Sequence, residues 1–350
     1  MIKEAIETVV NGRSLTFEQA AAVMEEIMSS EATPAQFAAF VTALRIKGES
    51  VDEIAALATV MLAKAIPVRV AQAVTDIVGT GGDGSSSFNI STTAAFIAAG
   101  AGLKVAKHGN RAMSSQCGSA DVLEALGVKI DLGAEAVAQC LETVDIGFMF
   151  APVFHPAMKC ATAPRREIGF RTVFNILGPL TNPAKAQFQV IGVPSKELGE
   201  KIALVLHRLG TEHSLVVHGM DGMDEISISG KSLVWDVNQR RILPPYEVSP
   251  DDFGFMKASM TQIRGGTARQ NANTLRGILS GEVGARRNIV IMNAAAALVA
   301  GNQASDLKEG VCIAEKALDS GQALAKLGEL IEFSQSLDVV APISSGPDFR

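Results

Sequence analysis

The sequence predicts an α/β protein: a small all-helical domain followed by a large α/β domain with a mostly parallel central sheet. Three observations carry this. Residues 1 to about 70 hold three helix-start signatures and no strand signal. From Thr75 onward, short β-type runs alternate with helical periodicity. Two of those runs end in glycine-rich or basic turns, the position at which open α/β sheets bind ligands.

In the first region Thr16-x-x-Gln19, Thr33-Pro34-x-Gln36 and Ser50-x-x-Glu53 each read as a capping box before an apolar-periodic run. Pro34 falls in a first turn, where its missing N–H costs nothing, and Gly48 and Pro67 punctuate the ends. Over 71–350 the expected strands are Thr75–Val78, Leu103–Ala106, Ile146–Phe150, Phe188–Val193 and Ser214–His218. The expected helices between them are Thr92–Ala101, Ser119–Leu126, Ala134–Thr143 and Lys196–Leu209. Ser227–Val237 reads as a hairpin turning at Gly230-Lys231, and the chain after Asn271 is mainly helical.

Apolar residues make up 47% and charged residues 19% of the 350, the balance of a globular enzyme. A net charge of −6 argues against general affinity for nucleic acid or an anionic membrane, so an anion site must be local. Cys117, Cys140, Cys160 and Cys312 show no CxxC spacing, which points to a reduced, cytoplasmic protein without structural zinc. The N-terminus lacks a signal-peptide apolar block, and Ile289–Ala300 is too short to span a bilayer.

Gly79-Thr80-Gly81-Gly82-Asp83-Gly84 formally matches GxGxxG. A dinucleotide fingerprint requires its last glycine in the helix and an acid about 20 residues on. Here Ser85–Asn89 intervene, and the next strand ends in Lys107-His108. A Walker A motif fails as well, since no Lys-Ser/Thr follows the last glycine. What survives is a nest of backbone N–H groups closed by hydroxyls, with Ser91 at the N-cap of the helix Thr92–Ala101 beside Asn89 and Thr92. The second turn, Lys107-His108-Gly109-Asn110-Arg111, continues through Ser114 and Ser115 to Gly118. It brings two fixed charges and a titratable histidine to a neighbouring strand end, as an anion-binding loop able to move as a lid.

Asp224-Glu225 follows the strand ending at His218. In a turn both carboxylates can aim into one crevice, and hard oxygen ligands of this kind suit Mg²⁺ completed by water and phosphate. Arg165, Arg166 and Arg171 fall within one segment, and an arginine fork can bind a carboxylate in two parallel hydrogen bonds. Arg166 and Glu167 read as ordinary surface charges, and His155, next to Pro156, as a packing residue at a helix entry.

Taken together, DIVGTGGDGSSSFNIST, KVAKHGNRAMSS, GSADVLEALG, APRREIG, TVFNILGPLTNPA and VVHGMDGMDE resemble the anthranilate phosphoribosyltransferase family of tryptophan biosynthesis. The likeness spans nearly the whole chain. It implies a homodimer with the active site in a cleft between the two domains. It also implies that the helical segment around Arg165, within 155–180, packs with the N-terminal domain. Carried over by position, it implies that Gly79, Gly82, Asp83, Ser87, Asn89, Ile90, Ser91 and Thr92 hold phosphoribosyl pyrophosphate. Lys107, His108, Gly109, Asn110, Arg111, Ala112, Met113, Ser114, Ser115 and Ser119 would wrap its phosphates, with Lys107 and Arg111 stabilising the leaving group. Ser91, Asp224 and Glu225 would bind two Mg²⁺, and Asn110 and Arg165 would contact anthranilate. The family varies at Gln116 and Cys117.

The chemistry implied needs no general acid or base, because an aromatic amine is uncharged at neutral pH and the difficulty lies in expelling pyrophosphate. Two rivals stand beside this reading. A pyrimidine nucleoside phosphorylase would use inorganic phosphate without paired metal ligands, and fits KHGNR poorly. A nucleic-acid-binding relative needs an extended basic face that the acidic balance disfavours.

Overall fold

The computed structural model describes residues 1–112, 116–239 and 241–337. Helices α1 (Ile2–Val10), α2 (Phe17–Met28), α3 (Pro34–Lys47) and α4 (Val51–Ala63) form the first region. All three expected capping boxes close: the hydroxyls of Thr16, Thr33 and Ser50 accept from the backbone N–H three residues on, and Gln19, Gln36 and Glu53 reach back. Such caps stabilise a helix start by about 1 kcal/mol each.

The sheet comprises β1 (Thr75–Gly79), β2 (Val105–Gly109), β3 (Ile146–Phe150), β4 (Phe188–Gly192) and β5 (His213–Gly219), all parallel in the order β3-β2-β1-β4-β5. Connecting them are α5 (Ile90–Gly100), α6 (Ser119–Leu126), α7 (Ala134–Val144), α8 (Ala151–Phe154), α9 (Lys159–Ile168), α10 (Phe174–Leu177) and α11 (Lys196–Leu209). The strand order reverses at β1, which puts the natural ligand crevice above its carboxyl end.

Three sequence expectations need correction. The basic run does not begin as a loop: β2 extends to Gly109, with Lys107, His108 and Gly109 registered against Phe148, Met149 and Phe150 of β3. Polar side chains remain in a strand here because they are buried against polar partners, described below. Ser91 is not the N-cap of α5: the helix starts at Ile90 behind Asn89, and Ser91 lies in its first turn. Ser227–Val237 is not a hairpin. Only β6 (Ser232–Asn238) is a strand, and it runs antiparallel to β5 and pairs with β7 (Arg241–Ile242) and β8 (Tyr246–Val248). Ser227 and Ser229 instead give their hydroxyls to Asp221, the local bonding by which serine competes with a ladder.

The C-terminal third is helical: α12 (Ala268–Leu279), α13 (Ala285–Ala300), α14 (Leu307–Asp319) and α15 (Gln322–Ser336). The sheet is apolar on both faces, with alternate residues facing opposite cores. Ile77, Val190, Leu215 and Val217 join α5 and α13 on one side, while Ile191, Val216 and Trp235 join α11 on the other. That second core continues into α1–α4 and takes in Ala161, Val173, Phe174 and Leu177 from the segment around Arg165. Among the described residues no helix is long and apolar enough to cross a membrane.

Candidate active site

A cleft of about 480 Å³ opens above the carboxyl ends of β1 and β2 and is closed on its far side by the α8–α10 segment. Its floor is the glycine turn after β1. Gly81 and Gly82 have φ of 70° and 78°, a backbone region open to glycine. The Gly81 N–H donates to Asp224 Oδ2 at 2.6 Å, so the carboxylate of the turn after β5 is delivered to the end of β1. Arg171 closes the turn from the other side: its guanidinium lies over Gly82, and Nη2 donates to Thr80 O at 2.8 Å.

The amino end of α5 faces the same space. Asn89 makes no capping bond with its side chain; Nδ2 donates to Cys117 O at 3.2 Å and Oδ1 accepts from Asn271 at 2.9 Å. The first-turn amides of α5 are therefore left for other partners, and the Ser91 N–H donates to Glu225 Oε1 at 3.2 Å. Thr80 Oγ1, Asp83 Oδ2 and Thr92 Oγ1, which all line the cleft, are buried without a protein partner. Orphaned groups this numerous in one place mark a ligand site.

Electrostatics point the same way. Burial, with Asp83 close by, pushes the Asp224 carboxyl up to about 7, and burial together with Asp224 raises Glu225 well above the carboxylate range. Crowded carboxylates of this kind call for a cation. Among the described residues no three His, Cys, Asp or Glu side chains form a metal site by themselves. Two carboxylates and a serine hydroxyl with open positions nonetheless fit Mg²⁺, which takes its remaining oxygens from water and phosphate.

Lys107 is 3% exposed; its Nζ donates to Ile77 O at 2.5 Å, and Asp76 and Glu225 oppose the burial that lowers its pKa. His108 adds no charge at neutral pH. Burial, aided by His155, takes it down to about 3, and Nδ1 lies 3.1 Å from Gly178 O. Its ring lies 5.1 Å from that of His155, itself lowered by burial to about 4. His155, read from sequence as a packing residue at a helix entry, is buried and also lines the cleft. The Arg165 guanidinium sits 5.6 Å above the Phe174 ring, with its charge at the cleft wall. Arg166 and Glu167 are exposed, as expected.

Most of the other predicted residues also line the cleft: Gly79, Ser87, Ile90, Gly109, Asn110, Ala112 and Ser119. Arg111 lines it too, but its guanidinium turns to α6, bonding Asp121 at 3.0 Å and Glu124 at 2.8 Å. Met113, Ser114 and Ser115 lie outside the described residues. Arg171 and His155 were not assigned to the site from sequence. Arg171 stands in the same arginine cluster as Arg165, and nothing local distinguishes which member meets the turn.

Residues 71–324 match the model described as the glycosyl transferase family α/β domain, and residues 3–65 that of the family's helical bundle domain. Anthranilate phosphoribosyltransferase of Dehalococcoides mccartyi is 58% identical over 96% of this chain and 99% of its own length. Among solved structures, anthranilate phosphoribosyltransferase of Thermus thermophilus superposes with a TM-score of 0.90 at 42% identity, covering 95% of this chain and 99% of that one. The Saccharomyces cerevisiae enzyme, solved in complex with PRPP and Mg, has a TM-score of 0.89 at 29% identity, covering 96% and 98%.

Proposed function

The chain belongs to the anthranilate phosphoribosyltransferase family, and from that premise we propose how its residues divide the work. The reaction moves the phosphoribosyl group of 5-phosphoribosyl 1-pyrophosphate to the amine of anthranilate, releases pyrophosphate, and serves tryptophan biosynthesis. The carrying observation is the set of unpartnered hydroxyl and carboxylate oxygens on Thr80, Asp83 and Thr92 beneath a glycine turn, with buried Lys107 alongside.

The diphosphate of the donor rests at the Gly82 end of the glycine turn and on the first turn of α5, bounded by Gly79, Asp83, Ser87 and Asn89–Thr92. Lys107 opposes the negative charge that grows on it as the C1–oxygen bond breaks. Residues 108–115 and Ser119 bind the donor's phosphates, and Arg111 joins them by exchanging Asp121 and Glu124 for phosphate. Ser91, Asp224 and Glu225 would hold two magnesium ions per site, which would supply charge neutralisation on the leaving group. Arg165 forks the anthranilate carboxylate and Asn110 supports it, which sets the amine opposite the leaving group; alignment contributes the rest of the rate. The amine attacks unprotonated and sheds its proton after the C–N bond begins to form, so no side chain is needed as general base.

The helical domain is read as discontinuous, residues 1–70 plus part of 155–180, because α9 packs on α2 and α3. A homodimer is the working form; Val10 and Ile46, 69% and 82% exposed on the helical unit, are apolar surface for it. The protein works in the cytoplasm, in keeping with four free cysteines, and takes neither nucleic acid nor membrane as partner. Adding protein, the sugar pyrophosphate and Mg²⁺ should abolish anthranilate fluorescence, while inorganic phosphate with a nucleoside should give no turnover. The reverse result would refute the reading.

A further inference from the structure

The backbone ladder of the parallel sheet is interrupted between β1 and β2. β1 and β4 are in register over five residue pairs, and β2 and β3 over five, whereas β1 and β2 are registered only at Thr75↔Val105 among the described residues. Side chains occupy the place of the missing ladder. Asn182 Nδ2 donates both to Asp76 Oδ2 at 2.7 Å and to Ala106 O at 2.8 Å, and Asn182 Oδ1 accepts from the Ala184 N–H at 2.9 Å. The His108 N–H points to Asp76 Oδ1 at 3.4 Å, and Lys107 takes the carbonyl of Ile77.

Asp76, Asn182 and Lys107 are 0%, 2% and 3% exposed. A continuous backbone ladder would satisfy the same strands without burying a carboxylate, an amide and an ammonium, each costly away from water. The split lies directly under the point where the glycine turn and the basic turn diverge. Separating β1 and β2 there would give the two turns more room than the ordinary strand spacing of about 4.8 Å.

We propose that Asp76 and Asn182 are positioning residues: they hold β1 and β2 apart at their carboxyl ends and seat Lys107 in the opening, aimed at the leaving diphosphate. The inference rests on the reading of Lys107 given above. Neither residue touches substrate; both act through the strand gap and the lysine.

The test is a double-mutant cycle on the full chain, with phosphoribosyl pyrophosphate and Mg²⁺ binding measured by calorimetry and KM for both substrates by fluorescence. Asp76→Asn keeps the shape and removes the charge. It should weaken donor binding by about tenfold, the effect of losing a hydrogen bond to a charged group. The KM for anthranilate should stay within about twofold, and on a Lys107→Met background the same change should add less than about twofold, as residues acting as a unit do. Asn182→Ala, which removes both bridging bonds, should repeat the pattern if Asp76→Asn folds poorly in a thermal melt. Equal effects of Asp76→Asn on both backgrounds, or on both substrates, would overturn the inference alone. Unchanged donor affinity in Lys107→Met would overturn the reading of that lysine and this inference with it.

Discussion

The Asp224 carboxylate occupies the space that a side chain on Gly79 would need: a β-carbon there would lie well inside the contact radius of Oδ2. Asp224's own backbone presses against Gly192 in the same way, so this acid is wedged between the ends of β1 and β4 by two residues without side chains. Gly79→Ala should therefore displace the carboxylate by about 1 Å. Misplacement of that size lowers kcat/KM on the order of a hundredfold. The check is a magnesium titration of activity, in which the variant should also need more metal.

Arg165→Ala should raise the KM for anthranilate by about tenfold or more, the scale of a lost bidentate charge-assisted pair. The KM for the sugar pyrophosphate should move much less, because Arg165 stands on the α9 wall against the Phe174 ring. Steady-state kinetics with each substrate varied in turn would show the split, and equal shifts would remove the role assigned to it.

Glu53 is fully buried and holds three parts of the helical unit together. Oε1 accepts from the Leu15 N–H at 2.9 Å, and Oε2 accepts from the Ser50 N–H at 2.7 Å and Lys47 Nζ at 2.8 Å. Glu53→Ala leaves a buried ammonium without its counter-charge and should cost about 3–5 kcal/mol in a urea melt. Glu53→Leu combined with Lys47→Met should recover only part of that loss, since the uncompensated charge is gone but the Leu15 and Ser50 N–H groups still lack their acceptor.

His213 gives a pH signature. Burial works against its charged form, but Asp236 at 3.1 Å and Asn302 at 3.0 Å outweigh it and raise the pKa above 6.5. A raised imidazole pKa means stabilisation that is full below about 6.5 and lost as pH rises through the folded-state value. The Tm difference between the parent chain and His213→Ala should accordingly be larger at pH 6 than at pH 8.5. A difference that is flat with pH, or larger at high pH, would contradict the assignment.

Much of this was legible in the sequence because it is local. A capping box closes within four residues, so Thr16, Thr33 and Ser50 announced their helices correctly, and five short β-type runs became the five parallel strands. The glycine turn after β1 was readable for the same reason, since consecutive glycines there supply the positive φ angles that the turn uses. What escaped depends on partners far along the chain. Asn89, not Ser91, precedes the first residue of α5, and its side chain is held by Cys117 and Asn271 in place of a capping bond. Lys107 and His108 read as loop by polarity, yet become strand because β3 supplies their ladder and Asp76 a counter-charge. Arg111's ion pairs with Asp121 and Glu124 depend on how α6 is placed.

The core shared by the helical unit and one face of the sheet limits how this enzyme can move. Leu57 of α4 and Ile202 of α11 are both fully buried in that one apolar body. Swinging the bundle outward as a rigid flap would hydrate this seam, at roughly 25 cal/mol for every Å² opened. The bundle therefore stands as a stationary wall of the cleft.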